Sequence, residues 1–163
     1  MKIKGRVWLF DDNVNTDLIY PGTSFRLPIE EQCKLVFSAN RPGWASEVRP
    51  GDVILAGRNF GTGSARPAAI LFHALRLGGL LADSINGVFY RNCINNGFPA
   101  LQCLGVREAF LEGDIVEMDL RTGAVENLRT GQCLRGIGIP DSIVQIVEAG
   151  GILPSLRREG YVE

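Results

Sequence analysis

Val53-Ile54-Leu55-Ala56-Gly57-Arg58-Asn59-Phe60-Gly61-Thr62-Gly63-Ser64-Ala65-Arg66-Pro67-Ala68 passes from a continuous apolar run, through a glycine-rich loop, into the start of a helix. Four unbroken apolar residues mark a strand covered on both faces. Glycine lets the following backbone bend sharply and approach a ligand closely. The spacing predicts a helix from about Ala65 to Leu77, with Ser64 as its N-cap, Pro67 in its first turn and Gly78-Gly79 as its stop. That helix reads as apolar over most of its circumference, with Arg66 and His73 sharing one polar stripe two turns apart.

Outward from this unit, Leu80-Leu81-Ala82 reads as a second buried strand. Ile85, Val88, Phe89 and Cys93 follow at helical spacing, up to Gly97 and Pro99. Ala100–Leu104 reads as a third strand. Strand, helix, strand, helix, strand predicts parallel strands joined by crossover helices. On the N-terminal side lie a strand at Ile3–Phe10, a polar loop at Asp11–Asp17, a Pro21-Gly22 turn, a short helix within Leu27–Phe37, and the turn Arg49-Pro50-Gly51-Asp52. Downstream, Asp114–Leu120, Ala124–Leu128 and Gln132–Arg135 are strand-like. Arg-Thr-Gly separates them twice, which predicts an antiparallel meander. A final helix opens at Pro140 or Asp141 and ends at Gly150-Gly151, and an amphipathic turn follows. The fold class is α/β, with a parallel core and an antiparallel flank. No linker or low-complexity segment divides the chain, so residues 1–163 are expected to form one domain.

Composition narrows the chemistry. Seventeen basic and eighteen acidic residues nearly balance, and no basic run stands out, which argues against a nucleic-acid partner. The longest apolar stretches, such as Ala68–Phe72, fall far short of the ~20 residues that span a bilayer, and the N-terminus has no signal-peptide pattern. Cys33, Cys93, Cys103 and Cys133 form no C-x-x-C pair, and His73 is the sole histidine. No metal or iron–sulfur site held by this chain alone is expected, and the cysteines read as buried, reduced thiols of a cytoplasmic protein. So little acid–base equipment suggests a binding module, or one part of an active site completed elsewhere.

The glycine loop carries that chemistry. A helix start offers free N–H groups to an anion, and Arg66 adds a fixed cation; an ordinary capped helix with an exposed arginine is the alternative, which three loop glycines and an otherwise apolar helix disfavour. The loop has no Gly-Lys-Ser/Thr, so it is not a Walker A loop. A dinucleotide fingerprint needs a third glycine where Arg66 stands, although Asp83 lies where a ribose-binding acid would. Asp11, Asp12 and Asp17 suit turns and caps better than a calcium loop, and His73 reads as a structural polar group. Tyr90-Arg91-Asn92 suits either the cleft or packing and capping.

Gly57-Arg58-Asn59-Phe60-Gly61-Thr62-Gly63-Ser64-x-Arg66 resembles the motif of the small-subunit family of 3-isopropylmalate dehydratase, the aconitase swivel domain. Further blocks resemble that family in the same order: Asp11-Asp12-Asn13-x-Asn15-Thr16-Asp17-x-Ile19-x-Pro21-Gly22, Arg49-Pro50-Gly51-Asp52-Val53-Ile54, Phe89-Tyr90-Arg91-Asn92-x-Ile94-Asn95 and Glu148-Ala149-Gly150-Gly151-Ile152. The resemblance implies a β/β/α swivel domain. It also implies a hydro-lyase subunit active only with a separate large subunit, which carries a [4Fe–4S] cluster while this chain binds none. The reaction would dehydrate and rehydrate a 2-hydroxy di- or tricarboxylic acid, in leucine biosynthesis for 3-isopropylmalate. The cluster's open iron would act as Lewis acid on the leaving hydroxyl.

By the same resemblance Ser64 is the base, as an alkoxide that Arg66 and the amides of Gly61, Thr62 and Gly63 stabilise. Ala65 replaces a second serine that binds a substrate carboxylate in relatives, and Pro67 also departs from the family pattern. Phe25, Arg26 and Leu27 fall in the loop that faces the substrate's variable group. Arg26 suits an extra carboxylate, as in homoaconitase; Phe25 and Leu27 suit an isopropyl group. Without its partner, a subunit of this kind is expected to expose a surface through which it could self-associate. A non-catalytic nucleotide- or anion-binding module remains the reading of another class.

Overall fold

The computed structural model describes residues 1–63, 66 and 68–162 of the chain. Seven strands form one mixed sheet in the order β4-β3-β2-β1-β5-β6-β7. β1 (Lys2–Phe10), β2 (Val53–Ala56), β3 (Gly79–Ala82) and β4 (Ala100–Gln102) run parallel. β5 (Ile115–Asp119), β6 (Ala124–Asn127) and β7 (Gln132–Arg135) form the antiparallel meander predicted around the two Arg-Thr-Gly turns. β1 joins the halves. Its residues 7–10 pair in parallel with β2, and residues 2–6 pair antiparallel with β5. The chain beyond β7 then turns back, and Ile137 N–H donates to Gln102 O of β4 (2.9 Å), so the sheet curls until its edges approach.

The crossover helices are α4 (Ala68–Ala74) between β2 and β3, and α5 (Gly87–Asn95) between β3 and β4. Every residue of β2 and β3 is buried, because alternate side chains enter two different cores. One core is aromatic: Phe37 packs on Phe10 (4.2 Å between ring centroids) and Trp44 (4.9 Å), and Phe72 on Phe98 (5.3 Å). Short helices α1 (Thr16–Ile19), α2 (Ile29–Lys34) and α3 (Trp44–Glu47) cover this face. The second core is aliphatic. Val53, Leu55, Leu81 and Leu101 meet Val116 and Met118 of β5, and Val144 and Val147 of α6 (Asp141–Glu148). α7 (Ile152–Arg158) follows after Gly150 and Gly151, both at positive φ. Among the described residues, no helix is long and apolar enough to cross a membrane.

Two carboxylates fix the turns around β1. Asp52 accepts from Trp8 Nε1 (2.7 Å), Arg6 Nη2 (2.6 Å) and Arg49 N–H (2.9 Å). Burial pushes its carboxyl up, but these donors outweigh burial and hold it below the ordinary range. A side chain at Gly5 would strike Gly51 O at 2.1 Å, so that turn lies directly against β1.

Asp114, before β5, accepts from Leu111 N–H (2.9 Å), Asn127 Nδ2 (2.8 Å), and Arg129 Nε (2.5 Å) and Nη2 (3.1 Å). The Arg129 bond is the main cause that brings its carboxyl down to about 2. The folded value lies below the unfolded one, so Asp114 stabilises fully above about pH 4 and loses this contribution as pH falls toward 2. Thermal melts from pH 2 to 6 should therefore show Asp114→Asn losing about 1–3 kcal/mol near neutrality, and proportionally less at the acid end. A constant difference across that range would contradict the assignment.

The structure revises three expectations. α4 begins at Ala68 rather than Ala65 and ends at Ala74. Arg66 precedes Pro67, whose ring disfavours helical backbone at the residue before it, and Arg66 lies outside the helix. The shared Arg66/His73 stripe therefore does not exist, and the argument for an anion site on that helix start falls with it. The cysteines are free but not uniformly buried. Cys93 and Cys103 are buried, Cys33 is half-buried, and Cys133 is exposed on edge strand β7. Ser64, as N-cap, and Pro67 lie outside the described residues.

Candidate active site

β1 and β2 run parallel, so their carboxyl ends release two loops side by side, as is usual for ligand sites on such sheets. Residues 11–16 and 57–63 then zip together. Asn13 N–H donates to Arg58 O (2.7 Å), Gly61 N–H to Val14 O (2.7 Å) and Thr16 N–H to Thr62 O (2.8 Å). Side chains reinforce the seam: Asp12 Oδ1 accepts from Arg58 N–H (2.7 Å), and Asn59 Nδ2 donates to Asn13 Oδ1 (3.0 Å). The end of β3 adds a third anchor, since Ser84 accepts from Asn59 N–H through Oγ (2.9 Å) and from Phe60 N–H through its carbonyl (3.1 Å).

Glycine is required at Gly61, which has φ +80°, because a Cβ there would stand 2.2 Å from the Phe89 ring. This revises the reading of the loop. The N–H groups of Arg58, Asn59, Phe60 and Gly61 are all engaged within the fold, so Gly61 serves packing and cannot donate to a substrate oxygen. Thr62 and Gly63 are the members of the expected amide set whose N–H groups form no bond with the described residues. Ser64 and Ala65 lie outside the described residues.

Arg66 is drawn back toward α1. Its Nη1 donates to Tyr20 O (2.6 Å), and its Nη2 is ion-paired with Asp17. The Arg66 side chain is 16% exposed, whereas that of Asp17 is 71% exposed, so the pair sits at the surface with the cation on the inner side. Gly22 opens the passage: a Cβ there would lie 3.2 Å from Arg66 Nη2. Tyr20 is itself fixed, since its hydroxyl donates to Gln32 Oε1 of α2. A guanidinium has five N–H donors, so two bonds leave three for a carboxylate.

Phe25 is the residue of the variable-group loop whose side chain meets this cluster, while Leu27 O accepts from Gln32 Nε2 (2.7 Å). The half-exposed Phe25 ring lies 4.7 Å from that of Tyr20 and 5.7 Å from the Arg66 guanidinium carbon. Phe25 stands in a 3-10 helix, Gly22–Arg26. Arg26 and Leu27 are exposed, and among the described residues the Arg26 side chain forms no hydrogen bond or ion pair. A groove of about 210 Å³, lined by Tyr20, Ile29, Gln32, Ile70 and Leu71, opens next to this cluster. Phe25, Leu27, Ile29 and Ile70 form an exposed apolar rim.

Sequence reasoning missed Asp17, assigning it to turn and capping duty. Asn15 is the cap, accepting from Leu18 N–H (3.0 Å), and Asp17 pairs with a residue forty-nine positions away. No local pattern encodes that pairing. His73 reads as expected: Nε2 lies 2.6 Å from Asn96 O, and the ring packs edge-on against Phe98. Asp83 accepts from Arg107 N–H (3.1 Å), which gives it a structural partner. Asn92 Oδ1 reaches Ala69 N–H in the first turn of α4 (3.4 Å), and Tyr90 packs against both cores, so these two hold the helices. Burial pushes the Cys93 thiol up, which leaves it unreactive. Among the described residues, no three His, Cys, Asp or Glu side chains gather as a metal-ligand set, so this part of the chain fits no iron–sulfur cluster.

Comparison with known proteins identifies the family and the fold. The aconitase C-terminal domain model matches residues 29–104. The isopropylmalate/citramalate isomerase small subunit of Methanocaldococcus jannaschii is 41% identical over 160 residues, covering 96% of this chain and 95% of the relative. The methanogen homoaconitase small subunit of Methanothermobacter thermautotrophicus is 42% identical over 155 residues, covering 93% and 88%. A crystal structure of 3-isopropylmalate dehydratase from M. jannaschii superposes with a TM-score of 0.90 at 31% identity, covering 98% of this chain and 96% of that one.

Proposed function

The chain belongs to the 3-isopropylmalate dehydratase small-subunit family, on the aconitase swivel fold, and on that premise we propose that it is the small subunit of a hydro-lyase. The enzyme isomerises a 2-hydroxy di- or tricarboxylic acid by dehydration and rehydration, with 3-isopropylmalate as the leading substrate. Residues 1–163 act as one swivel domain that closes over a separate large subunit. A [4Fe–4S] cluster on that subunit supplies Lewis-acid withdrawal of the hydroxyl.

This chain supplies the base and its electrostatic support. Ser64 takes the proton from the carbon next to the one bearing the hydroxyl, and returns it on rehydration. Arg66 orients a substrate carboxylate through its remaining N–H donors and keeps positive charge beside the serine oxygen. The observation that carries this reading is the clamp on Arg66: Tyr20 O and Asp17 hold a largely buried guanidinium two residues after Ser64, beside the zipped loops. The apolar rim around Phe25 then meets the partner, and without a partner it is open to a second copy of the chain.

Mixing this chain with the cluster-loaded large subunit, and following absorbance of the unsaturated acid, tests the proposal. Turnover should require both chains. Full rate from either alone, or tight phosphate or dinucleotide binding by the isolated chain with no partner recovered, would contradict it.

Arg26 separates two substrates. Its exposure, with no side-chain partner among the described residues, favours a further carboxylate, and a homoaconitase small subunit is among the relatives. If Arg26 reads that carboxylate, Arg26→Leu should raise KM for a tricarboxylic substrate by about tenfold or more and leave 3-isopropylmalate within about twofold. Equal effects on both substrates would assign Arg26 to solvent.

A further inference from the structure

Thr16 opens α1, and its hydroxyl is left without a hydrogen-bond partner among the described residues. The residue is 2% exposed, and Oγ1 is shielded from solvent and has no hydrogen-bond partner among the described residues. The backbone on either side is fully used: Thr16 N–H donates to Thr62 O (2.8 Å), and Thr16 O accepts from Tyr20 N–H (2.9 Å). Threonine in a helix commonly returns its hydroxyl to a nearby carbonyl, and one stranded in the interior is destabilising. Valine would fill the same volume without that penalty.

The hydroxyl lies against the end of the glycine loop. A Cβ on Gly63 would stand 2.9 Å from Thr16 Oγ1, and the φ of +104° at Gly63 independently favours glycine. The next residue is Ser64. The other stranded buried group among the described residues, Trp44 Nε1, belongs to a ring that packs in the aromatic core against Trp8, Phe10 and Phe37.

We propose that Thr16 is a positioning residue for proton removal: its hydroxyl, which has no partner among the described residues, donates to the Ser64 oxygen in the catalytic complex. The inference rests on the reading of Ser64 as the base. A hydroxyl donating to an anionic oxygen in a water-poor site strengthens as that anion forms, so it favours the ionised base. Thr62 O holds the same residue by its backbone, which fixes Thr16 to the loop it serves.

The test compares Thr16→Val with Thr16→Ser in the two-subunit enzyme, with Ser64→Ala run in parallel, and records thermal melting of each chain. Thr16→Val should melt no lower than the native chain and keep KM within about twofold. It should lose about 10- to 100-fold in kcat, with the acid limb of the kcat profile moved to higher pH; Thr16→Ser should restore most of both. Native kcat and pH profile in Thr16→Val overturn the inference, provided Ser64→Ala is dead in the same assay. A lower melting temperature for Thr16→Val, with Thr16→Ser failing to restore kcat, also overturns it by assigning the hydroxyl to folding. If Ser64→Ala itself turns over normally, the serine reading fails first, and that result is distinct from either of the others.

Discussion

Ser64→Ala, assembled with the large subunit, is expected to turn over about a thousandfold or more slowly than the native complex while assembling and binding substrate normally. The magnitude follows from what remains when the hydroxyl is removed. His73 is held by Asn96 O, and the carboxylates that flank the loop are committed, Asp12 to Arg58 N–H and Asp17 to Arg66. Among the described residues no second base beside the loop stands ready, so water must take the proton. In the proposed mechanism substrate carboxylates are held by Arg66 and by the partner, so KM should stay close to native, and the loss should fall on kcat. A Ser64→Ala complex retaining more than about a tenth of native kcat would require a base elsewhere.

Arg66→Lys should lower kcat by about a hundredfold, the second largest effect. The guanidinium donates to Tyr20 O with one nitrogen and pairs with Asp17 through another, and it still presents donors to a carboxylate. A lysine ammonium has three donors at a single point and cannot hold that spread of partners. Charge is conserved in this substitution, so a large loss measures the fork's geometry, not its sign. Native kcat in Arg66→Lys would mean that the residue serves only as a diffuse positive charge. The measurement is kcat and KM at saturating large subunit, with circular dichroism to establish that the chain is folded.

Much of the fold was legible because it is written in local periods. β2 and β3 are unbroken apolar runs, the two Arg-Thr-Gly turns punctuate the meander, and Gly97 and Gly150 end their helices at positive φ. Features that depend on distant pairing were not legible. β1 shares its length between β2 and β5, whose partner residues lie 46 and more than 100 positions away. Nothing within Lys2–Phe10 announces two partners. The extent of α4 was misjudged for a local reason, because Pro67 was weighed as a first-turn residue without its effect on Arg66.

The site divides along the same line. The glycine loop stood out by composition, but its composition suggested free amides, and the fold engages four of them. Gly61 shows how this arises: the absence of a side chain admits the Phe89 ring, not a ligand. The pairings of Asp17, Tyr20 and Thr16 were not legible because each acts on residues some forty or more positions away, through contacts that only the curled sheet creates.

The most direct test of the central claim is the exchange of the substrate's labelled carbon-bound hydrogen into solvent, at the carbon that loses its proton. In the native complex the label should wash out at least as fast as product forms. In the Ser64→Ala complex, with substrate bound to the same extent, washout should fall about as far as turnover does. Label released at the native rate by Ser64→Ala would show that another group removes the proton, and would contradict the account.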